Sequence, residues 1–250
     1  MPGYPTIVFI KADGSEVDRI VGYRPAAVFL GELERINRNE GTIDDLSHQL
    51  ANYPEDDSLI VRIAEKYEER GDLEAALPYW KKLLLLPSGK QDLAHYKVAA
   101  NSARIADSAE PLTAYLQKYP SGIFTAEAYS SLRRLYRSLK DTAAEVQTYV
   151  EFIDYLERES KFNPGDLNGY SWRMTQLEQN LEDALVKIRQ AVELVVDESA
   201  DTKAGLIDTE AEVLWKLGRI EEAVAVINKC IELQPEDNYF KEQKEKFLKG

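Results

Sequence analysis

The sequence predicts a mostly α-helical protein of stacked antiparallel helix pairs, preceded by a β-hairpin and one helix. Three observations carry that expectation. From Gly41 onward apolar residues recur at helical spacing, and glycine and proline thin out to punctuation between segments. Two distant segments share one pattern: AEKYEERGDLEAALPYWKKLLLLP around Gly71, and AEVLWKLGRIEEAVAVINKCIELQP around Gly218. In each, the glycine precedes an alanine (Ala76, Ala223) by five residues and a proline (Pro87, Pro235) closes the unit. Finally, small residues at helix openings recur at Ala76, Ala109, Ala144, Ala184 and Ala223, at spacings of 33, 35, 40 and 39. That drifting period is one helix hairpin long, the mark of a helical solenoid, in which stacking supplies the core that a lone hairpin lacks.

In chain order, Pro5 to Ile10 is a β-branched and aromatic run, Asp13-Gly14 is a hairpin signal, and Glu16 to Tyr23 reads as the second strand. Pro25 opens a helix that carries Val28, Phe29, Leu33 and Ile36 at helical spacing. Gly71 and Gly218 are expected just past helix ends, where glycine takes a left-handed backbone at no steric cost. Tyr119 to Gly122 reads as a turn, and Asn163-Pro164-Gly165-Asp166 as a longer loop between the third and fourth units. After Pro235 the charged segment EDNYFKEQKEKFLKG reads as an amphipathic capping helix with Tyr239, Phe240 and Phe247 on its apolar side.

Composition narrows the function classes. The 250 residues carry a formal charge of −13, two histidines and one cysteine. One thiol excludes an internal disulfide framework, a Cys-x-x-Cys pair and a Cys₄ metal site. His48 and His95 alone cannot build a multi-histidine centre, and they have no nucleophile partner in the pattern. No metal and no cofactor is expected. The acidic balance argues against nucleic acid, which needs clustered Lys and Arg. No apolar run approaches the roughly 18 residues of a membrane span. A soluble, folded protein is expected, cytoplasmic or periplasmic. Acidic runs such as Glu55-Asp56-Asp57 and Glu65, Glu68 and Glu69 lack ligand spacing and read as solvated helix faces. Cys230 falls on a packed helix face and reads as a buried structural thiol.

Residues Asp57 to Pro87 and Lys203 to Pro235 resemble tetratricopeptide repeats. In the second, Ala211, Gly218, Ala223, Ile227, Cys230 and Pro235 fall on that family's small, turn, packing and terminal positions, with Cys230 where alanine is usual. Asp166 to Leu194 is a third match through Trp172, Ala184 and Ala191, with Gln179 in place of the turn glycine. The resemblance implies a right-handed superhelix over residues 41–250. The first forty residues, 1–40, resemble the C-terminal portion of a thioredoxin-like domain: Gly3-Tyr4-Pro5-Thr6 before a strand, Asp13-Gly14, then Val21-Gly22-Tyr23 and a helix. That resemblance implies a cis Tyr4–Pro5 bond and a substrate-binding loop at Tyr4, Pro5 and Thr6. The family's first strands and its dithiol helix are absent from this chain.

These resemblances imply a non-enzymatic interaction module whose concave face holds a protein or peptide segment. Inward positions on the first helices are Ser58, Val61, Glu65 and Glu68 in the first unit and Asp208, Glu212 and Trp215 in the last. The Lys and Asn set of the family's chaperone-tail clamps is missing, so a basic or uncharged partner is expected. An alternative is that the chain is the C-terminal part of a thioredoxin-like oxidoreductase or chaperone whose Cys-x-x-Cys half lies upstream. A purely structural, self-assembling solenoid is a third reading. With its neighbouring strands missing, the segment from Thr6 to Ile10 is expected either to dock near Ile43 and Leu46 or to self-associate through its open edge.

Overall fold

A computed structural model describes residues 4–249; Gly3, the first residue of the Gly-Tyr-Pro-Thr motif, lies outside them. Two strands, β1 (Thr6–Ile10) and β2 (Glu16–Val21), pair antiparallel around the Asp13-Gly14 turn. The Asp13 carboxylate accepts the backbone N–H and the hydroxyl of Ser15, and Gly14 takes φ +84°, so the turn chemistry is the one the sequence displays. A bulge lies between Phe9 and Ile10. The Tyr4–Pro5 peptide bond is cis. Helix α1 (Ala26–Asn37) follows Pro25, and twelve more helices complete the described chain.

The helices form two compact units that divide between Leu135 and Tyr136. The first unit holds the hairpin, α1, α2 (Ile43–Asn52), α3 (Asp57–Arg70), α4 (Leu73–Leu84), α5 (Gln91–Ile105), α6 (Glu110–Lys118) and most of α7 (Thr125–Leu139). Its core gathers Leu46, Ile60, Ile63, Ala64, Ala76, Trp80, Leu83 and Ala94, from the four helices α2 to α5. Each fully buried Leu or Ile contributes about 1.5–3 kcal/mol of transfer free energy. The second unit holds the last turn of α7, α8 (Thr142–Arg158), α9 (Pro164–Leu177), α10 (Leu181–Leu194), α11 (Ala200–Lys216), α12 (Ile220–Leu233) and α13 (Asn238–Lys249). There α9 packs on α10, α10 on α11, α11 on α12 and α12 on α13, and the first helices α9 and α11 also touch directly. The chain is thus mostly helical, in stacked helix pairs after a β-hairpin.

One turn joins the helices of each pair. At Gly71, Lys140, Glu178 and Gly218 the chain goes left-handed, with φ of 78°, 58°, 52° and 75°. Each turn residue donates its N–H to the carbonyl three residues back, and the next N–H reaches the carbonyl five back. Only Gly71 and Gly218 were legible as turns. Lys140 and Glu178 take the same backbone without being glycine, and the turn residue of the α9–α10 pair is Glu178, one place before the expected Gln179. The turn is followed by a helix cap. Asp72 and Asp141 accept the N–H three residues on, at Ala75 and Ala144, which satisfies a donor the helix itself leaves orphaned.

Four residues beyond the cap lies a slot where the second helix meets its neighbours. Ala76, Ala184 and Ala223 fill it and are fully buried, as the spacing predicts. Two expected members are corrected. Ala109 stands at the cap of α6, and Leu112 is the buried residue there. Ala144 is only half-buried; the slot of α8 belongs to Glu145, 1% exposed. The expected long loop at Asn163 is a tight helix start, in which Asn163 and Asp166 form a reciprocal capping box at 3.1 Å each way.

Candidate partner-binding site

The residues expected to face a partner sit on the first helices of the pairs. In the first unit, Asp56 caps α3, and Lys90 ties Asp57 and Ser58 to the start of α5 at 2.8 and 2.9 Å. Three turns of α3 then carry Val61, Glu65 and Glu68 along one stripe. Val61 is half-buried against the core. Glu68 accepts three hydrogen bonds, from Trp80 Nε1 at 2.8 Å, Lys97 Nζ at 2.6 Å and Asn101 Nδ2 at 2.9 Å. A carboxylate bound to α4 and α5 in this way joins three helices and has little capacity left for a partner. Glu65 is open to water. Desolvation by the surrounding protein nonetheless raises its carboxyl above the ordinary range, with Glu68 and Glu69 adding to the effect against Lys97.

In the last pair, α11 carries Asp208, Glu212 and Trp215 on the corresponding stripe, and α13 lies over them. Tyr239 Oη donates to Asp208 Oδ2 at 3.1 Å, and Lys246 Nζ donates to Glu212. The Lys246 ammonium also lies 4.4 Å from the Trp215 ring centroid, and the Phe247 ring lies 5.7 Å from it. Phe240 and Phe247 are buried, whereas Tyr239, expected on the same apolar side, is 44% exposed. Asp208 keeps one buried carboxylate oxygen without a hydrogen-bond partner. Burial pushes its carboxyl up to about 6; Glu212 adds to this, while Tyr239 and Lys246 oppose it.

The N-terminal loop is open. Tyr4 is 97% exposed, Pro5 is exposed and Thr6 is half-buried. The hairpin docks through charge more than through the apolar contact expected at Ile43 and Leu46, although both of these are buried and β2 does contact α2. Asp18, 2% exposed, is held by Arg35 of α1 at 2.8 Å and by Lys66 of α3 at 2.7 Å. Arg70 donates to the Val17 carbonyl and Arg19 to the Glu69 carbonyl. Sequence reading missed Asp18, because a single acid inside a strand gives no sign of the two cations that meet it.

Cys230 is fully buried, its thiol donates to the Ala204 carbonyl at 3.4 Å, and burial pushes it up to about 12, so it stays protonated. Among the described residues no group of three His, Cys, Asp or Glu is placed to hold a metal ion, and no helix is long and apolar enough to cross a membrane.

Comparison with known proteins adds the following. Residues 209–237 match the tetratricopeptide repeat family, which covers the second half of α11 and all of α12. No curated protein sequence matches the chain. Among solved structures, BtubC (BKLC) from P. vanneervenii is 12% identical, with a TM-score of 0.52, over 77% of this chain and 87% of that one. YrrB, described as a TPR protein with an unusual peptide-binding site, is 14% identical, with a TM-score of 0.50, over 81% of this chain and 99% of that one. At such identities the likeness is one of fold, and the fold is that of tetratricopeptide-like helix hairpins.

Proposed function

We propose that the chain is a protein-interaction scaffold that holds a basic or uncharged partner segment along the first helices of its pairs, without catalysis of its own. The observation that carries this reading is the division of the α3 stripe. Glu68 is consumed by three internal bonds, while Glu65, one turn earlier, is exposed and has no hydrogen bond or ion pair among the described residues. An unpaired exposed acid attracts cations at long range, and salt weakens that attraction over about 8–10 Å. Val61 and Glu65 are thus the contact residues proposed for the first unit. A photo-crosslinking amino acid at position 65, set against one at the exposed Glu74 of α4, tests the assignment. Partner adducts are expected from 65, with yield falling as salt rises. Equal yield from 74 would count against the first-helix face.

A second reading rests on the hairpin. Among the described residues β1 pairs only with β2, and Ile7, Val8 and Ile10 are exposed on it. Such an edge accepts another strand. A second copy could supply it, or the thioredoxin-like half of a longer oxidoreductase, with Tyr4, Pro5 and Thr6 then beside that half's substrate. Sedimentation at rising protein concentration separates these, because only the second copy gives concentration-dependent mass.

A further inference from the structure

The chain has three tryptophans, and two of them carry a lysine ammonium on the ring. Lys97, from the first helix of the next pair, lies 5.4 Å from the Trp80 centroid, and Lys246 of α13 lies 4.4 Å from that of Trp215. The third, Trp172 on α9, has among the described residues no cation over its ring, no aromatic neighbour and no hydrogen bond to its indole N–H, and it is 40% exposed. An indole normally hides its faces and finds an acceptor for its N–H, so an open one on a well-packed helix stands out.

Its place in the repeat is informative. Trp172 lies six residues before the turn residue Glu178, as Glu212 lies six before Gly218 on the adjoining first helix α11. Asn168, one turn before Trp172 and on the same stripe, has a buried side-chain carbonyl oxygen without a hydrogen-bond partner. Asp208 occupies the same repeat position as Asn168, ten residues before its turn, and also has an oxygen without a partner. Both of these oxygens are buried, so the group this stretch presents to a partner is the exposed aromatic face of Trp172. The surrounding unit is acidic: residues 136–250 hold 24 Asp and Glu against 15 Lys and Arg. The complement of an exposed indole on an acidic unit is a cation.

We propose that Trp172 is the anchor of the second unit's partner face and takes the arginine or lysine side chain of an extended partner segment on its ring. This builds on the partner-binding reading of the first-helix faces and gives it a ligand chemistry. A cation over an exposed indole accounts for roughly two- to fivefold in affinity.

The test labels the protein with 5-fluorotryptophan, which gives three fluorine resonances, and identifies that of Trp172 by its loss in Trp172→Phe. The probe is a capped octapeptide of alternating glycine and arginine; its control has glutamate in place of arginine. The arginine peptide is expected to move the Trp172 resonance and the backbone amides of α9 and α11, and Trp172→Ala to weaken it roughly two- to fivefold. If the peptide moves amides of α3 or α5 but leaves the Trp172 resonance still, the anchor is wrong and the scaffold reading survives. An equal response to the glutamate peptide would overturn the cation assignment. No response anywhere in the chain would overturn both readings.

Discussion

Within the second unit, one slot is filled in two ways. Four residues past its cap, α12 places Ala223, fully buried and small enough for close helix approach. At the same position α8 places Glu145, equally buried, whose carboxylate takes Arg137 Nη2 at 2.5 Å and both Nε and Nη2 of Arg173 at 2.8 Å. Burial alone would raise Glu145's carboxyl. The bonds from Arg173 and Arg137 outweigh it and hold the group below the usual carboxylate range. A packing position can thus be held by contact or by charge, and the two answer differently to mutation, acid and salt.

The largest effect is expected where charge holds the slot. Arg137→Met together with Arg173→Met leaves a buried carboxylate without a counter-ion, and urea unfolding should show a loss of about 3–5 kcal/mol. Replacing all three members, Glu145→Ala with both arginines to leucine, should recover to within about 1 kcal/mol of the parent, because no charge is then stranded. A double variant as stable as the parent would mean that the clamp contributes nothing. At the contact-held slot, Ala223→Leu overpacks the α11–α12 interface and should cost about 1–3 kcal/mol; an unchanged midpoint would refute the register.

Acid separates the slot of α8 from the α11–α13 contact by sign. Glu145 has a lowered pKa when folded, so its contribution is complete above its ordinary 4.5 and is lost as pH falls below that value. Asp208 is raised from 3.8 to about 6, so the folded state holds its proton more tightly. Its contribution is present at low pH and fades as pH rises through the window from 3.8 to about 6. Asp208→Asn should therefore stabilise the protein at pH 7, by about 1–2 kcal/mol, and flatten the slope across that window. Urea midpoints across the acid-to-neutral range test both signs. The smallest effect belongs to the turns. Lys140→Gly removes the left-handed strain that Gly71 and Gly218 avoid, and should gain about 0.5–1 kcal/mol.

Legibility followed the type of cue. The hairpin was readable because Asp13-Gly14 demands one turn, and the first and last repeats because Gly71 and Gly218 mark their own backbone. The middle units were harder. Ala144 mimicked the packing alanine one residue early, since the period drifts by more than a residue between units and a glutamate does not announce itself as core. Lys140 and Glu178 hid their turns because their left-handed backbone is stabilised by the hydrogen bonds around it rather than by residue type. The candidate site was readable only as a stripe. Helical spacing places Val61, Glu65 and Glu68 on one face, but which of the two acids stays open depends on whether Lys97, Asn101 and Trp80 arrive from other helices.

By itself, the sequence determined the helical repeat, its hairpin preface, the acidic composition and the single thiol, because local backbone preference, apolar period and composition are properties of neighbouring residues. Tertiary structure decided which charges are spent and which remain. Asp18 meets Lys66 across 48 positions, Glu145 meets Arg173 across 28, and Glu212 meets Lys246 across 34. Pairings over such separations depend on how helices stack, and no window of sequence contains both partners.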